Sequence, residues 1–457
     1  MVEYDAIVIG TGQAGPPLAR LLADKGWKVA IAEGGVFGGT CVNTGCTPSK
    51  AMIGSANAIQ AARRGDDFGF SAGEVTADFG RIVARRDAIV SGSREGLIKS
   101  LEKRSNITIY RQYASFEAAK RVRVGDEVIE GKQIFINTGA RAVIPEIDGL
   151  ESVPYLDNVS LMALKELPSH LMILGAGYVG IEMAQAFRRF GSEVTVIDRA
   201  AVPLEQEDKE FTKGIRKLLE GEGVRFVMDA KVGKVAQDGG QISVQYRGKD
   251  GAKQTLSGSH LLVAVGRRSN SDKIGAENAR LELDDKGYIK VDDKLRTNVE
   301  GVYALGDVNG RGAFTHTSYN DYQVAAANVT GGNRSIGERV MRYAVYTDPP
   351  LARVGMNEAQ VRESGRKALV ATLPMEKVNR AREFGQTTGL MKVLVDAESE
   401  QFLGATFFGL TADEAIHGIV DMMHAKMPYN MIRDAVHIHP TVSELIPTLL
   451  EGLEPMK

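Results

Sequence analysis

The chain runs to 457 residues, too many for a single hydrophobic core and enough for about three domains. Its formal net charge of -2, with 25% charged and 43% hydrophobic residues, gives no long-range attraction to nucleic acid or an anionic membrane, and neither is expected as a partner. No apolar run of about 18 residues is available to span a bilayer, and the N-terminal Tyr4 to Ile9 run lacks the basic flank and length of a signal peptide, so a cytoplasmic protein is expected.

Residues 5 to 9 form a short buried-strand pattern that runs directly into Gly10-Thr11-Gly12-Gln13-Ala14-Gly15. A helix through Leu18, Leu21 and Leu22 follows, then a strand over Lys28 to Ala32 that ends at Glu33. Strand, glycine turn, helix, strand and acid are the context a dinucleotide fingerprint requires. Its glycines allow a pyrophosphate to approach the helix N-terminus, and the acid can accept from ribose hydroxyls. Pro16 and Pro17 fall in the first helical turn, where a missing N–H costs little.

The chain's only two cysteines come next, in Gly38-Gly39-Thr40-Cys41-Val42-Asn43-Thr44-Gly45-Cys46-Thr47-Pro48-Ser49-Lys50. Glycine, polar neighbours and a helix start argue against two buried cysteines in an apolar core, and the close pair reads as a redox-active disulfide. In a reducing compartment such a pair is catalytic rather than structural. Thr47 as N-cap and Pro48 as first helical residue are expected to open a helix, with Cys46 beside its positive end, where a thiolate is stabilised.

An amphipathic segment from Phe79 to Leu101 and short strands at Val122 to Val124 and Gln133 to Ile136 lead to Asn137-Thr138-Gly139-Ala140. The fingerprint then repeats. Strand His170 to Leu174, Gly175-Ala176-Gly177-Tyr178-Val179-Gly180, a helix from Ile181 to Phe190 and strand Glu193 to Ile197 end at Asp198, with the same offset from first glycine to acid as before. Two dinucleotides are therefore expected, one of them a flavin, because a nicotinamide delivers a hydride whereas a disulfide accepts electrons through thiolate chemistry.

His260 to Arg267 closes the second unit, and Gly301 to Asp307 is a further buried strand ending in an acid. Asp307 is either a flavin contact or an ordinary turn aspartate. From about Met341 the pattern becomes α+β, with strands at 390–395 and 402–406 and a helix from Ala412 to Met427. His437-Ile438-His439-Pro440-Thr441-Val442-Ser443-Glu444 holds two of the seven histidines and an acid, which suits either an oriented general base or a surface histidine near a helix start. No metal site is expected.

Together these motifs resemble the class I flavoprotein disulfide reductases, the pyridine nucleotide-disulfide oxidoreductases that include dihydrolipoamide dehydrogenase, glutathione reductase and mercuric reductase. The likeness covers essentially the whole chain. It rests most specifically on Gly-Gly-Thr-Cys-x4-Cys-x3-Lys and on His-Pro-Thr followed by Glu. Phe314-Thr315-His316-Thr317, Tyr346-Thr347-Asp348-Pro349-Pro350 and Leu445-Ile446-Pro447 are closest to the mercuric-reductase-like branch.

The resemblance implies an α/β fold with two Rossmann-like dinucleotide-binding domains plus a C-terminal α+β dimerisation domain. Residues 1–150 would begin the FAD domain, 151–270 form the NAD(P) domain, 271–340 complete the FAD domain and 341–457 form the interface. Gly10, Gly12, Gly15 and Glu33 would hold the FAD adenosine. Gly39, Thr40, Lys50, Ala114, Thr138, Gly139, Asp307 and His316 would provide further FAD contacts. Gly175, Gly177, Gly180, Asp198, Arg199 and Gly266 would hold the nicotinamide nucleotide. Asp198 favours the free 2'-hydroxyl of NAD, while Arg199 could pair with the 2'-phosphate of NADP, and the reading leans to NAD.

By the same resemblance Cys46 faces the flavin as the charge-transfer thiol and Cys41 is the interchange thiol. Lys50 and Glu182 form an ion pair near the flavin. His439, oriented by Glu444, is the acid/base supplied across a homodimer. The expected function is an FAD-dependent NAD(P)H:disulfide-type oxidoreductase acting on a small oxidised sulfur substrate. Mercuric reduction and dihydrolipoamide oxidation are the alternatives, and a non-catalytic flavin-binding subunit is a third. The tail Glu451 to Lys457 carries no second cysteine pair, and His-Pro-Thr-x-x-Glu is present, both of which point away from metal reduction.

Overall fold

The computed structural model describes residues 2–457. Its first unit is built on the strand Val2–Ile9, whose Ala6, Ile7, Val8 and Ile9 are buried because the sheet is covered on both faces. This strand pairs in parallel with Val29–Ala32 on one side and Glu127–Ile136 on the other, and Ile107–Tyr110 extends the sheet beyond Val29–Ala32. Val302–Ala304 returns from far along the chain to pair in parallel with Ile134 to Ile136, which sets Asp307 at the same sheet end as the first fingerprint. Strands Ala114–Ala118 and Arg121–Val124 form an antiparallel meander with the other end of Glu127–Ile136.

The second unit repeats the parallel plan, in the order Arg225–Val227, Glu193–Ile197, His170–Leu174, His260–Val263. An antiparallel sheet of Lys231–Asp238, Gln241–Arg247 and Lys253–Gly258 packs beside it. A two-stranded ribbon, Ala140–Ala142 with Arg267–Ser269, joins the two units. The third unit is a six-stranded sheet in the order Arg342–Val345, Leu351–Gly355, Phe402–Phe408, Leu390–Asp396, Ala368–Pro374, Glu454–Pro455. The fold is thus the expected α/β arrangement with a C-terminal α+β unit. No described helix is long and apolar enough to cross a membrane.

Three local expectations are corrected. The cysteine helix spans Cys46–Arg63, so Cys46 is itself the first helical residue, Gly45 occupies the cap position and Thr47 caps nothing. The chain enters this helix from the short helix Gly39–Asn43, and that tertiary entry overrides the preference of Thr47 and Pro48. The expected Ala412 to Met427 helix is broken at Ile416 into Ala412–Ala415 and His417–His424. The second fingerprint helix begins at Tyr178 rather than Ile181.

The three units share one core. Met52 of the cysteine helix, Phe79 and Ile82 of the helix Phe79–Glu102, Phe187 and Phe190 of the second fingerprint helix, and Tyr343, Val345 and Phe408 of the third unit belong to a single buried cluster. Phe79, Phe187 and Phe190 pack ring to ring at 5.9 to 6.0 Å. Beneath them Arg189, 3% exposed, donates to Glu222 at 2.7 Å, to Asp348 at 2.8 Å and to Asn57 at 2.8 Å. This one guanidinium links the first, second and third units. Arg189→Met strips two acids of their buried partner, which is expected to cost about 3–5 kcal/mol and to lower the midpoint of thermal unfolding by several degrees. An unchanged midpoint would show that the network carries no stability.

Candidate active site

The glycines bring backbone against backbone where side chains would not fit. A Cβ on Gly10, whose φ is +102°, would stand 2.4 Å from the Asn137 carbonyl oxygen. A Cβ on Gly39, at φ +60°, would stand 2.9 Å from Gly12 Cα, so the cysteine loop lies directly on the first fingerprint. The third glycine of each fingerprint packs inward: a Cβ on Gly15 would meet Gly10 O at 2.3 Å, and one on Gly180 would meet Gly175 O at 2.0 Å. Gly15 and Gly180 accordingly shape the turns without lining the cavity between them.

Each acid is tied to its own fingerprint. Glu33 accepts from Thr11 N at 3.0 Å, from Thr11 Oγ1 at 2.7 Å and from Gly35 N at 2.9 Å. Asp198 accepts from Ala176 N at 2.6 Å and from Ala200 N at 2.9 Å. Thr11 and Ala176 occupy the same place in the two motifs, so the repeat seen in the sequence is also a repeat of hydrogen bonding. Arg199 is exposed beside Asp198.

One cavity of about 1320 Å³ runs between the cradles, above the usual range for a single small ligand. It is lined by Gly10, Gly12, Glu33, Gly39, Thr40, Ala114, Thr138, Gly139, Asp307 and His316 on the first side, and by Gly175, Gly177, Asp198, Arg199 and Gly266 on the second. Cys41, Cys46, Lys50 and Glu182 line it too. Gly139, Gly177 and Gly266 have no atom within 4 Å where a Cβ would stand, and the Thr138 hydroxyl is buried without a partner. These open glycine faces and the orphaned hydroxyl suit bound dinucleotides.

Cys41 and Cys46 are both free thiols, and Thr315 Oγ1 lies 3.2 Å from each Sγ. The Cys41 S–H donating to Cys46 lowers the Cys46 pKa to about 6, against the opposing effect of burial, with further help from Thr315 and Lys50. The same bond, together with burial, pushes Cys41 far above the ordinary thiol range. The two shifts run in opposite directions and favour a thiolate on Cys46 with the proton on Cys41. Lys50 Nζ reaches Glu182 Oε2 at 2.7 Å and lies over the Tyr346 ring, 4.7 Å from its centroid.

Asp307 pairs with Arg267 at 2.6 Å; burial pushes its carboxyl upward, and Arg267 opposes that. His316 Nε2 donates to the Arg342 carbonyl at 2.8 Å, which leaves Nδ1 as the free nitrogen, and burial lowers its pKa. His439 Nδ1 is 2.9 Å from Glu444 and donates to it, so Nε2 is left to take a proton. His439 is 70% exposed and does not line the cavity of its own chain, nor does Glu444.

Three residues without a role in the sequence reading organise the site. Asn137, 5% exposed, accepts from Gly15 N at 2.9 Å and donates to Leu305 O at 2.9 Å, which ties the fingerprint turn to the strand before Asp307. Asp321, fully buried, accepts from Gly306 N at 2.7 Å and pairs with Arg339. Thr315 bridges the thiols from a helix more than 260 residues away in sequence. Only Thr315 stood in a run that marked the family; Asn137 and Asp321 carried no signal beyond their side-chain type.

Residues 4–328 match the pyridine nucleotide-disulphide oxidoreductase family, and residues 341–450 match its dimerisation domain. The chain is 36% identical over 453 residues to the probable pyridine nucleotide-disulfide oxidoreductase RclA of Escherichia coli K12, covering 97% of this chain and 98% of that one. It is 31% identical over 459 residues to dihydrolipoyl dehydrogenase of Cupriavidus necator, covering 97% and 96%. It is 33% identical over 418 residues to mercuric reductase of Lysinibacillus sphaericus, covering 91% and 76%. The fold superposes on the HOCl-induced flavoprotein disulfide reductase RclA from Escherichia coli with a TM-score of 0.89 at 35% identity, over 98% of this chain and 99% of that one. FAD and a pyridine nucleotide are the cofactors of such enzymes. The chain belongs to the pyridine nucleotide-disulphide oxidoreductase family, as a class I flavoprotein disulfide reductase.

Proposed function

We propose that this enzyme passes electrons from NAD(P)H through FAD to Cys41 and Cys46 and on to a small oxidised sulfur substrate. The observation that carries the reading is the thiol pair itself, Cys41 and Cys46 each 3.2 Å from Thr315 Oγ1 and lining one cavity with Lys50 between two dinucleotide cradles. Bound FAD and nicotinamide would supply hydride acceptance and its relay to sulfur. In this reading Gly10, Gly12 and Glu33 hold the adenosine end of FAD, and Gly15 shapes the turn behind them. Gly39, Thr40, Ala114, Thr138, Gly139, Asp307 and His316 line the rest of its path. The second cradle, with Gly266, holds the nicotinamide nucleotide.

Cys41 acts as the interchange thiol. It loses its proton, its sulfur attacks one sulfur of the substrate, the substrate S–S bond breaks, and the leaving thiolate takes up a proton. The Cys46 thiolate then attacks Cys41 Sγ, which forms the Cys41–Cys46 disulfide and releases the second substrate thiol. One protein thiol and one protein thiolate become a disulfide as the substrate gains two electrons and the Cys41 proton, and the second substrate thiolate takes its proton from solvent. Since Cys41 is held protonated, a base is required, and His439 with Glu444 supplies one. Its exposure, away from its own cavity, supports action at the partner's site in a homodimer. Lys50, held by Glu182, stabilises the Cys46 thiolate.

Anaerobic reduction of the yellow enzyme by two electrons is expected to produce long-wavelength thiolate-to-flavin absorbance, absent in Cys46→Ser. Because the Cys46 pKa is depressed to about 6, the thiolate exists above that pH, and the band should fade as pH falls through it. Uptake of the flavin's electrons alone, with no such band, would sink the disulfide reading.

The finer preference is for NADH. Asp198, fixed by two backbone N–H groups beside the open Gly177 face, offers an acceptor to a free 2'-hydroxyl and repels a 2'-phosphate. The ratio of kcat/KM for the two nucleotides tests this: a preference for NADPH above about ten-fold, roughly 1.4 kcal/mol, reverses it.

The likeness to mercuric reductase supports a second reading, reduction of a soft metal ion. Hg(II) is held by thiolates, and this sequence offers only Cys41 and Cys46, which would bind it as a stable pair complex. Stoichiometric inhibition by Hg(II) of the NAD(P)H-reduced enzyme is expected. A disulfide substrate should turn over, and His439→Ala should slow that turnover by about 100-fold or more. Sustained Hg(II)-dependent NAD(P)H oxidation that is insensitive to His439→Ala would establish the metal reading instead.

A further inference from the structure

We infer that Tyr113 is an aromatic shelf for the adenine of the dinucleotide in the first cradle, an inference that rests on the reading of that cradle as the FAD site. Tyr113 is 79% exposed, an unusual placement for a tyrosine that lines a cavity. A Cβ built on Gly34 would lie 2.3, 2.3 and 2.6 Å from Cδ1, Cγ and Cδ2 of its ring. Near-equal distances to three ring atoms put Gly34 over the face of the ring rather than at its edge. Gly34 does not have a positive φ, so the backbone itself does not require glycine there. The ring does: one face lies against the Gly34 main chain, and the other is left open at the cavity mouth.

The position suits a base. Glu33 ends the second strand of the parallel sheet, where the acid of such a cradle meets the ribose and the base lies beyond it. Glu33 N donates to Tyr110 O at 2.9 Å, so the neighbouring strand Ile107–Tyr110 ends beside the acid and delivers Tyr113 three residues later. Flat aromatic faces stack on bases of any kind. The second cradle has no counterpart: Asp198 N donates to Val227 O as Glu33 N does to Tyr110 O, the equivalent strand Arg225–Val227 ends there, and the residue three positions on is Ala230. The shelf therefore belongs to one of the two cradles, the one that keeps its dinucleotide through turnover.

The test is release of FAD from purified holoenzyme on dilution, followed by the rise in flavin fluorescence. Tyr113→Ala is expected to release FAD about ten-fold faster than wild type, and Tyr113→Phe, which keeps the face and loses the hydroxyl, within about two-fold of wild type. ADP and FMN are then added to block rebinding. The ADP concentration required should change about ten-fold in Tyr113→Ala, and the FMN concentration should not. Tyr113→Leu should release FAD as Tyr113→Ala does and serves if the alanine variant does not fold. Wild-type release rates in both the Ala and Leu variants overturn the shelf, as does a Phe variant as fast as Ala, or an equal change in the response to FMN. A wild-type protein that purifies colourless and takes up no FAD overturns the cradle assignment itself, and the shelf with it.

Discussion

The Glu182 carboxylate is where the three units of this protein meet. It belongs to the second fingerprint helix, is 3% exposed, and accepts from Lys50 of the cysteine helix at 2.7 Å and from Tyr346 N of the third unit at 2.9 Å. An ionised carboxylate taken out of water costs several kcal/mol unless it is paired, so a structure that buries Glu182 must bring these two donors to it. The ammonium that Glu182 holds also bears on chemistry, since it favours the Cys46 thiolate while Glu182 itself works in the opposite sense. The same contact thus fixes the orientation of two helices and sets the charge beside the thiols.

Around that junction the two cradles are built alike and oriented toward a common space. In both, the middle residue of the glycine turn donates its N–H to the acid at the end of the second strand, and the third glycine packs onto the carbonyl of the first. They differ in what surrounds them. The first is closed by the returning strand Val302–Ala304, by Asn137 and by the buried Asp321 carboxylate, whereas the second opens on exposed Arg199. A tightly framed cradle beside an open one suits an enzyme that keeps one nucleotide and exchanges the other.

Much of this was legible along the chain because it rests on short-range rules. Gly10 to Glu33 and Gly175 to Asp198 are local units whose hydrogen bonds close within about two dozen residues, so residue types at fixed spacing suffice to read them. The run from Gly38 to Lys50 was equally legible, although the cysteine helix starts at Cys46 and not after Thr47. That start depends on the short helix Gly39–Asn43 packing on Gly12, a contact from outside the segment. The break at Ile416 was missed because helical periodicity continues across it in sequence.

The sequence by itself determined that there are two dinucleotide turns, one pair of thiols and one His-Glu couple, since each is written in adjacent residues whose chemistry needs little else. Only the tertiary structure decided that both turns and both thiols share one cavity, that Thr315 stands between the sulfurs, that Asn137 and Asp321 brace the turn and the Asp307 loop, and that His439 is exposed outside the cavity that its own thiols line. The reason is range. Hydrogen bonds such as Gly15 to Asn137 or Thr315 to Cys41 join residues more than a hundred positions apart, and no local spacing rule records which distant strand end a parallel sheet will bring alongside.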